Sequence, residues 1–283
     1  ELAKQYVPLL DEAYKLASCT SVLDGASDLA RQGANANELI IPKMSMQGLA
    51  DYSRNSGYVS GDVTLTNETV KCNFDRGRRF DVDVMDDLET AGLAFGRLSA
   101  QFIRDKVVPE LDAFRFASYC GISGVTKKEE TLADGAAVAA LSAAVTAMDD
   151  EEVTATGRYL FITPTLLQGI NDMDTTKSKK VLEGFEQVIK VPQRRFYTAI
   201  KQLSGKTGEE AGGYTKATGA ANINFAIVQK DALIQYTKHA APKIIAPENN
   251  PDADAYVFGY RMVGIAKAYK NMLSGMYFSH DKA

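Results

Sequence analysis

LIIPKMSMQGLADYSRNSGYVSGDVTLTNETVKCNFDRGRRFDVDV, residues 39–84, is the stretch on which the fold turns. Phe80, Val82 and Val84 alternate with Asp81 and Asp83, and Thr64, Thr66, Asn67 and Thr69 precede them. A period of two with β-branched residues is the pattern of strands. From Gly48 to Gly61 the chain is rich in Gly, Ser, Asn and Asp, the residues that turns require, so the reversal falls there. The whole reads as a long two-armed β-ribbon. An arm of about 15 to 20 residues reaches roughly 50 to 65 Å. Two strands alone are marginal in water, so such a ribbon finds its missing partners on neighbouring copies of the chain.

The helical period takes over next. Leu88, Ala91, Phe95, Leu98, Phe102, Val107, Leu111 and Phe114 form one apolar stripe, and the spacing predicts a helix from about Asp86 to Tyr119 that stops at Gly121. The steps are three and four, except for a five across Lys106 beside Pro109, where a missing N–H should kink the helix. Asp86, Asp87 and Glu89 suit its positive end. A helix of about 34 residues is about 51 Å long, close to the roughly 50 Å diameter of a compact chain of this size. GVTKKEETLADG then reads as flexible, followed by a shorter helix on Val138, Leu141, Val145 and Met148.

Upstream, Val7, Leu10, Tyr14 and Ala17 recur at helical spacing before a polar run, an arm too thin to make its own core. Downstream the pattern is mixed α/β. GRYLFITP is a buried strand, and Thr163–Pro164 caps and opens a helix to about Met173. Further strands are expected at 181–191, 223–228, 255–269 and 275–279, and residues 201–220 form an exposed polar loop.

Composition narrows the function. Among 283 residues, 32 Lys and Arg against 36 Asp and Glu give a net charge of −4, which argues against a strongly basic nucleic-acid binder. Cys19, Cys72 and Cys120 are odd in number, widely spaced and without CxxC, so they read as core thiols in a reducing compartment. With only His239 and His280, three-His zinc sites and HExxH chemistry are excluded, and a Cys or Ser nucleophile has no base within a recognisable motif. No apolar run reaches the ~20 residues that span a bilayer.

SGKT at 204–207 invites a phosphate-loop reading, but the required glycine five residues before Gly205 is Ile200, so it reads as a loop. Gly92 and Gly96 make a GxxxG pair, read as close backbone packing. The acids at 81–89 and in ENNPDAD (248–254) lack metal-site spacing. The basic knots Arg76, Arg78, Arg79 and Arg194, Arg195 read as ion-pair partners of carboxylates across interfaces. No catalytic, cofactor or metal residue is assigned.

The order of parts is arm, ribbon, kinked helix, mixed region and strand-rich C-terminus. The runs at 46–65 (MQGLADYSRNSGYVSGDVTL), 72–90 (CNFDRGRRFDVDVMDDLET), 102–121 (FIRDKVVPELDAFRFASYCG), 157–167 (GRYLFITPTLL), 191–200 (VPQRRFYTAI) and 223–280 (INFAIVQK through GMYFSH) carry a resemblance. Over nearly its whole length the chain resembles the major capsid proteins of tailed bacteriophages, the Hong Kong 97 fold. The resemblance implies an α+β protein with an N-terminal arm (1–38), an extended loop (39–84) and a peripheral domain on the spine helix (85–152). It further implies an axial domain (153–235), a return segment to the peripheral domain (236–256) and C-terminal axial strands (257–283).

The implied function is self-assembly into hexamers and pentamers of an icosahedral shell around a double-stranded DNA genome, without catalysis or cofactor. The implied partners are the chain itself, scaffolding protein or protease, portal and decoration proteins, and DNA through weak nonspecific contact, with no membrane. The implied location is the virion, assembled in the bacterial cytoplasm. Subunit contacts are expected at Tyr52, Arg54 and Tyr58 on the ribbon tip, at Arg76, Arg78 and Arg79 on its returning arm, and at Lys243 and Pro247 in the segment that in such proteins lies near local threefold contacts. The tip holds no lysine, so the Lys–Asn cross-links of some members are not expected. The opening Glu1 is compatible with removal of an N-terminal scaffolding segment. Two other readings stand: an encapsulin-like nanocompartment shell, which shares the fold, and a soluble α/β enzyme using SGKT or Cys120.

Overall fold

The computed structural model describes residues 18–25, 31–32, 38–85, 100–133 and 135–282. The first seventeen residues, the helix stripe from Leu88 to Leu98 with its GxxxG pair and acidic start, and the side chain of His239 lie outside the described residues. In chain order the strands are β1 (Arg31–Gln32), β2 (Glu38–Met46), β3 (Val63–Lys71), β4 (Phe74–Asp83), β5 (Thr126–Glu129), β6 (Arg158–Ile162), β7 (Gln187–Lys190), β8 (Ile200–Gln202), β9 (Tyr214–Lys216), β10 (Ile223–Gln229), β11 (Leu233–Ile245), β12 (Ala255–Ala268) and β13 (Met276–His280). The helices are α1 (Val108–Cys120), α2 (Ala136–Asp150), α3 (Pro164–Asp172) and α4 (Thr176–Glu183).

A five-stranded sheet, ordered β5-β13-β10-β6-β7, forms the centre. Every residue of β6 and β10 is buried, as their unbroken apolar runs demand of strands covered on both faces. Tyr159 and Phe161 face a cluster with Phe116, Tyr119 and Cys120 of α1, while the alternate residues Leu160 and Ile162 pack with Leu141, Ala144 and Met148 of α2 and Ile170 of α3. The Phe116 ring meets Phe161 and Phe196 edge-on at 5.2 and 4.8 Å, the favoured aromatic geometry. A second sheet, β11-β12-β4, lies against the start of α1 through Phe74, Val108, Leu111, Phe258, Tyr260 and Met262. Helix α1 therefore joins two bodies, one at each end.

The step of five across Lys106 is resolved by a π-helical turn at Ile103–Val107, immediately before Pro109. One extra residue in the turn keeps Phe102 and Leu111 on the same buried side, so the irregular spacing records a bulge in addition to a proline. The helix ends at Gly121 as expected, but with φ −72°, so no left-handed cap is used; Gly124, at φ +92°, makes the reversal.

Several expectations need correction. The strand at 74–83 does not pair with the first ribbon arm; it crosses to β12, with Phe80 opposite Phe258 and Arg79 opposite Gly259. Residues 126–129 are not flexible but form an edge strand parallel to β13. The expected strand at 181–191 begins as α4, started by a capping box between Thr175 and Ser178, and only 187–190 is strand. The polar loop at 201–220 contains the hairpin β8–β9. β11, thirteen residues long, has no counterpart in the periodicity reading. Thr163 is extended before Pro164 at the first turn of α3, as expected, although its side chain makes no capping bond.

Candidate assembly surface

The ribbon is β2 and β3, antiparallel from Glu38 opposite Lys71 to Met46 opposite Val63, with the reversal at 47–62. β1 adds a short third strand at its root. The root is tied down where Val70 packs on Ile265, beside Ile234, Tyr236 and Tyr269. From Met44 to Asn67 every residue except Gly57 is exposed.

Directly opposed residues of an antiparallel pair share a face. Met44 with Leu65 and Met46 with Val63 therefore occupy one face, and Ser45 with Thr64 the other. Each of those four apolar side chains is more than half exposed, and Leu49, Tyr52, Tyr58 and Val59 of the loop are exposed as well. At the tip the Tyr52 and Tyr58 rings lie 5.0 Å apart over a tight turn in which Gly57 N–H donates to Ser53 O at 2.7 Å. Gly57 takes φ +73°, which an L side chain resists. Arg54 sits in that turn, exposed. The ribbon is thus amphipathic and open on its apolar side, a liability unless something covers it.

The three arginines expected on the returning arm lie on β4 and make contacts within the chain. Arg76 Nε donates to Glu110 Oε1 of α1 at 2.8 Å, and its Nη2 donates to Leu203 O at 2.7 Å. Arg78 Nη2 donates to Glu210 O at 2.9 Å. Arg79 pairs with Asp81 at 2.8 Å. Gly205 and Gly212, both at positive φ, fold around Arg78; a Cβ on Gly212 would lie 2.7 Å from its Nη1. The SGKT run is accordingly a bend in a loop that wraps a guanidinium. Glu209, bonded to Lys201 and to Ser204 N–H, is held down to about 2.

Arg78, Arg79 and Lys243 come together around a shallow depression of about 620 Å³ over β4 and β12, joined by Arg261, whose guanidinium grips Asp75 at 2.6 and 2.8 Å. Pro247 opens a 3-10 turn after β11 and is half-buried.

The sequence reading missed the anchor of residues 18–24. Asp112, wholly buried on α1, accepts hydrogen bonds from Ser18 Oγ (2.8 Å), Thr20 Oγ1 (2.6 Å) and Cys19 N–H (3.0 Å), and pairs with Arg195 Nη1 (3.2 Å). Arg115, also buried, donates to Thr20 Oγ1 (2.9 Å) and Asp24 Oδ1 (3.0 Å). Gln235 Nε2 donates to Thr20 O (2.7 Å), and its Oε1 accepts from the Tyr119 hydroxyl (2.6 Å). Arg195 therefore does meet a carboxylate, but inside the chain. Charged residues at 112 and 115 beside Leu111 and Phe116 were the available signal.

Burial pushes the thiols of Cys19 and Cys120 up to about 11, which leaves them protonated and poorly nucleophilic at neutral pH. Among the described residues no His, Cys, Asp and Glu group with metal-site geometry occurs, and no helix is long and apolar enough to cross a membrane.

No protein-family model and no curated protein sequence matches the chain. Solved structures do. A structure from Gordonia phage Cozz is 11% identical over 94% of this chain and 87% of its own, at a TM-score of 0.60. The acidic stable capsid of Helicobacter pylori bacteriophage KHP30 is 11% identical, covering 95% and 91%, at 0.58. A virus-like particle from Pyrococcus furiosus is 10% identical, covering 97% and 99%, at 0.58. At such identities the likeness is one of fold, and it spans nearly the entire chain.

Proposed function

Having the α+β Hong Kong 97 fold of tailed-phage capsids, this chain is, we propose, a major capsid protein that assembles with copies of itself into hexamers and pentamers of an icosahedral head around double-stranded DNA. The observation that carries this reading is the ribbon, whose one face exposes Met44, Met46, Val63 and Leu65. Exposed apolar surface on a two-stranded element is stable only when covered, and copies of one chain repeated by closed symmetry cover it everywhere at once. Burial at roughly 25 cal/mol per Å² is modest for one ribbon, but each subunit both gives and receives such a contact, so the closed shell is held by many weak links. Such a role asks for surfaces and no reacting group, consistent with buried, protonated thiols and ion pairs satisfied within the chain.

The test is assembly itself. Purified full chain, concentrated with and without a scaffolding partner, is expected to give closed particles by negative-stain microscopy and a sedimenting species far larger than 30.7 kDa. A chain that stays monomeric under every such condition overturns the reading. Particles from infected cells are expected to hold double-stranded DNA.

A further inference from the structure

The stretch from Lys190 to Asn222 is charged against the rest of the chain. It holds Lys190, Arg194, Arg195, Lys201, Lys206 and Lys216 against Glu209 and Glu210, a net of +6 − 2 = +4, so the other residues of this −4 chain sum to −8. The charged residues from elsewhere that bond to the stretch are Arg76, Arg78, Glu110, Asp112 and Asp281, and with them the balance is still +8 − 5 = +3. Arg195 is paired with Asp112 and Lys201 with Glu209. Arg194, Lys206 and Lys216 are exposed, and none of the three meets a carboxylate among the described residues. The fold gathers them on the β8–β9 hairpin and the turn before it. The Tyr214 hydroxyl donates to Arg194 O at 2.8 Å, which fixes that turn on β9. Alternate residues of a strand share a face, so Lys216 lies on the same side, its Nζ 5.6 Å from the centre of the Tyr197 ring and 2.9 Å from Asn222 Oδ1. Beyond the other end of the hairpin the loop at 203–213 carries Lys206, and Arg76 and Arg78 hold that loop by its carbonyls. The SGKT run thus presents Lys206 on a braced backbone.

We propose that Arg194, Lys206 and Lys216 form the surface that this chain turns to the phosphates of duplex DNA; this rests on the capsid reading above and names where the enclosed genome is met. Duplex DNA carries a negative charge about every 1.7 Å of its axis, and a cation that neutralises a phosphate releases a bound counterion. Lys and Arg contact phosphate without reading bases, so the contact asks for unpaired cations and not for a fixed pattern of donors. Here they are spread over a turn, a strand and a loop, which suits a long polyanion better than a compact anion. The remainder of the chain, at −8, repels phosphate, which confines the contact to this face and keeps it weak. A weak, sequence-independent contact suits a packaged genome of any sequence.

The test uses the unassembled full-length chain and a mixed-sequence DNA duplex, with affinity measured across a salt series. Arg194→Ala, Lys206→Ala and Lys216→Ala combined are expected to weaken binding about tenfold or more at low salt, and to flatten the slope of log affinity against log salt by about 2.7, three contacts at about 0.9 each. Arg194→Lys with Lys206→Arg and Lys216→Arg keeps the charges and is expected to keep the slope. Lys71→Ala, Lys177→Ala and Lys180→Ala combined remove three exposed cations outside this face and are expected to leave the slope unchanged. Thermal unfolding checks that each variant is folded. The proposal is overturned if the first set loses no more affinity than the Lys71, Lys177 and Lys180 set. It is also overturned if wild-type chain binds duplex no better than polyglutamate of equal charge, which marks a surface for acidic protein, or if the first set abolishes particle assembly, which marks a contact between subunits. Particles of the first set that form normally and retain less DNA support it. Failure of wild-type chain to form particles falls on the capsid reading, whereas duplex binding by the unassembled chain is read independently of assembly.

Discussion

Asp112 Oδ2 on α1 and Arg195 Nη1 in the loop after β7 lie 3.2 Å apart, with Asp112 fully removed from solvent. A buried carboxylate is tolerable only when its oxygens are filled. Here the remaining positions go to Ser18, Cys19 and Thr20. One side chain thus holds helix α1, the turn after β7 and residues 18–20 together.

Asp112→Ala is expected to destabilise the subunit by about 3–5 kcal/mol, since Arg195 loses its countercharge and Ser18, Cys19 and Thr20 lose their acceptor in a buried site. Denaturant unfolding measures the loss. Limited proteolysis is expected to cut near residues 18–25 in the variant before the body unfolds.

Gly77→Ala places a Cβ 2.7 Å from Tyr260 O, a backbone atom of the paired strand, so β4 and β12 must part. A loss of about 1–3 kcal/mol is expected from this overpacking. Gly48→Ala, which meets nothing within 4 Å, serves as the control and is expected to change thermal stability by less than about 0.5 kcal/mol.

Met44→Asp and Leu65→Asp place charge on the open apolar face of the ribbon. Subunit stability is expected to move by no more than about 0.5 kcal/mol, because these side chains are exposed in the single chain. Particle formation, followed by light scattering, is expected to be lost. Ser45→Asp on the opposite face is expected to assemble.

Glu209 titrates at about 2 when folded, against an ordinary value of 4.5, chiefly through its bond to Lys201. A depressed folded value means that its contribution to the β8–β9 hairpin is complete above pH about 4.5 and disappears as pH falls through about 2. Carboxyl NMR titration is expected to find that midpoint, and Lys201→Ala is expected to raise it.

Much of the architecture was readable because it depends on near neighbours. β6 and β10 are buried on both faces, so their runs are apolar without interruption. The ribbon's reversal shows in its Gly, Ser and Asn content, and α3 begins where Pro164 permits only a start. β4 shows how far this extends: its alternation identified a strand, but its partner β12 lies some 180 residues away, and nothing in Phe80 names Phe258. β11 escaped notice because Pro242, Lys238 and Lys243 blur its period. The arginines of β4 were recognised as ion-pair formers, yet Arg76 spends its charge on Glu110 and a loop carbonyl.

Periodicity and turn chemistry were enough to locate the reversal at 47–62, the buried strands β6 and β10 and the irregular helix step before Pro109, since each is encoded within a few residues. Which strands adjoin, which charges are buried together around Asp112, and the gathering of Arg79, Lys243 and Arg261 over β4 and β12 appear only on folding. Such features depend on distances between segments far apart along the chain, set by packing of the whole core and not by any local preference.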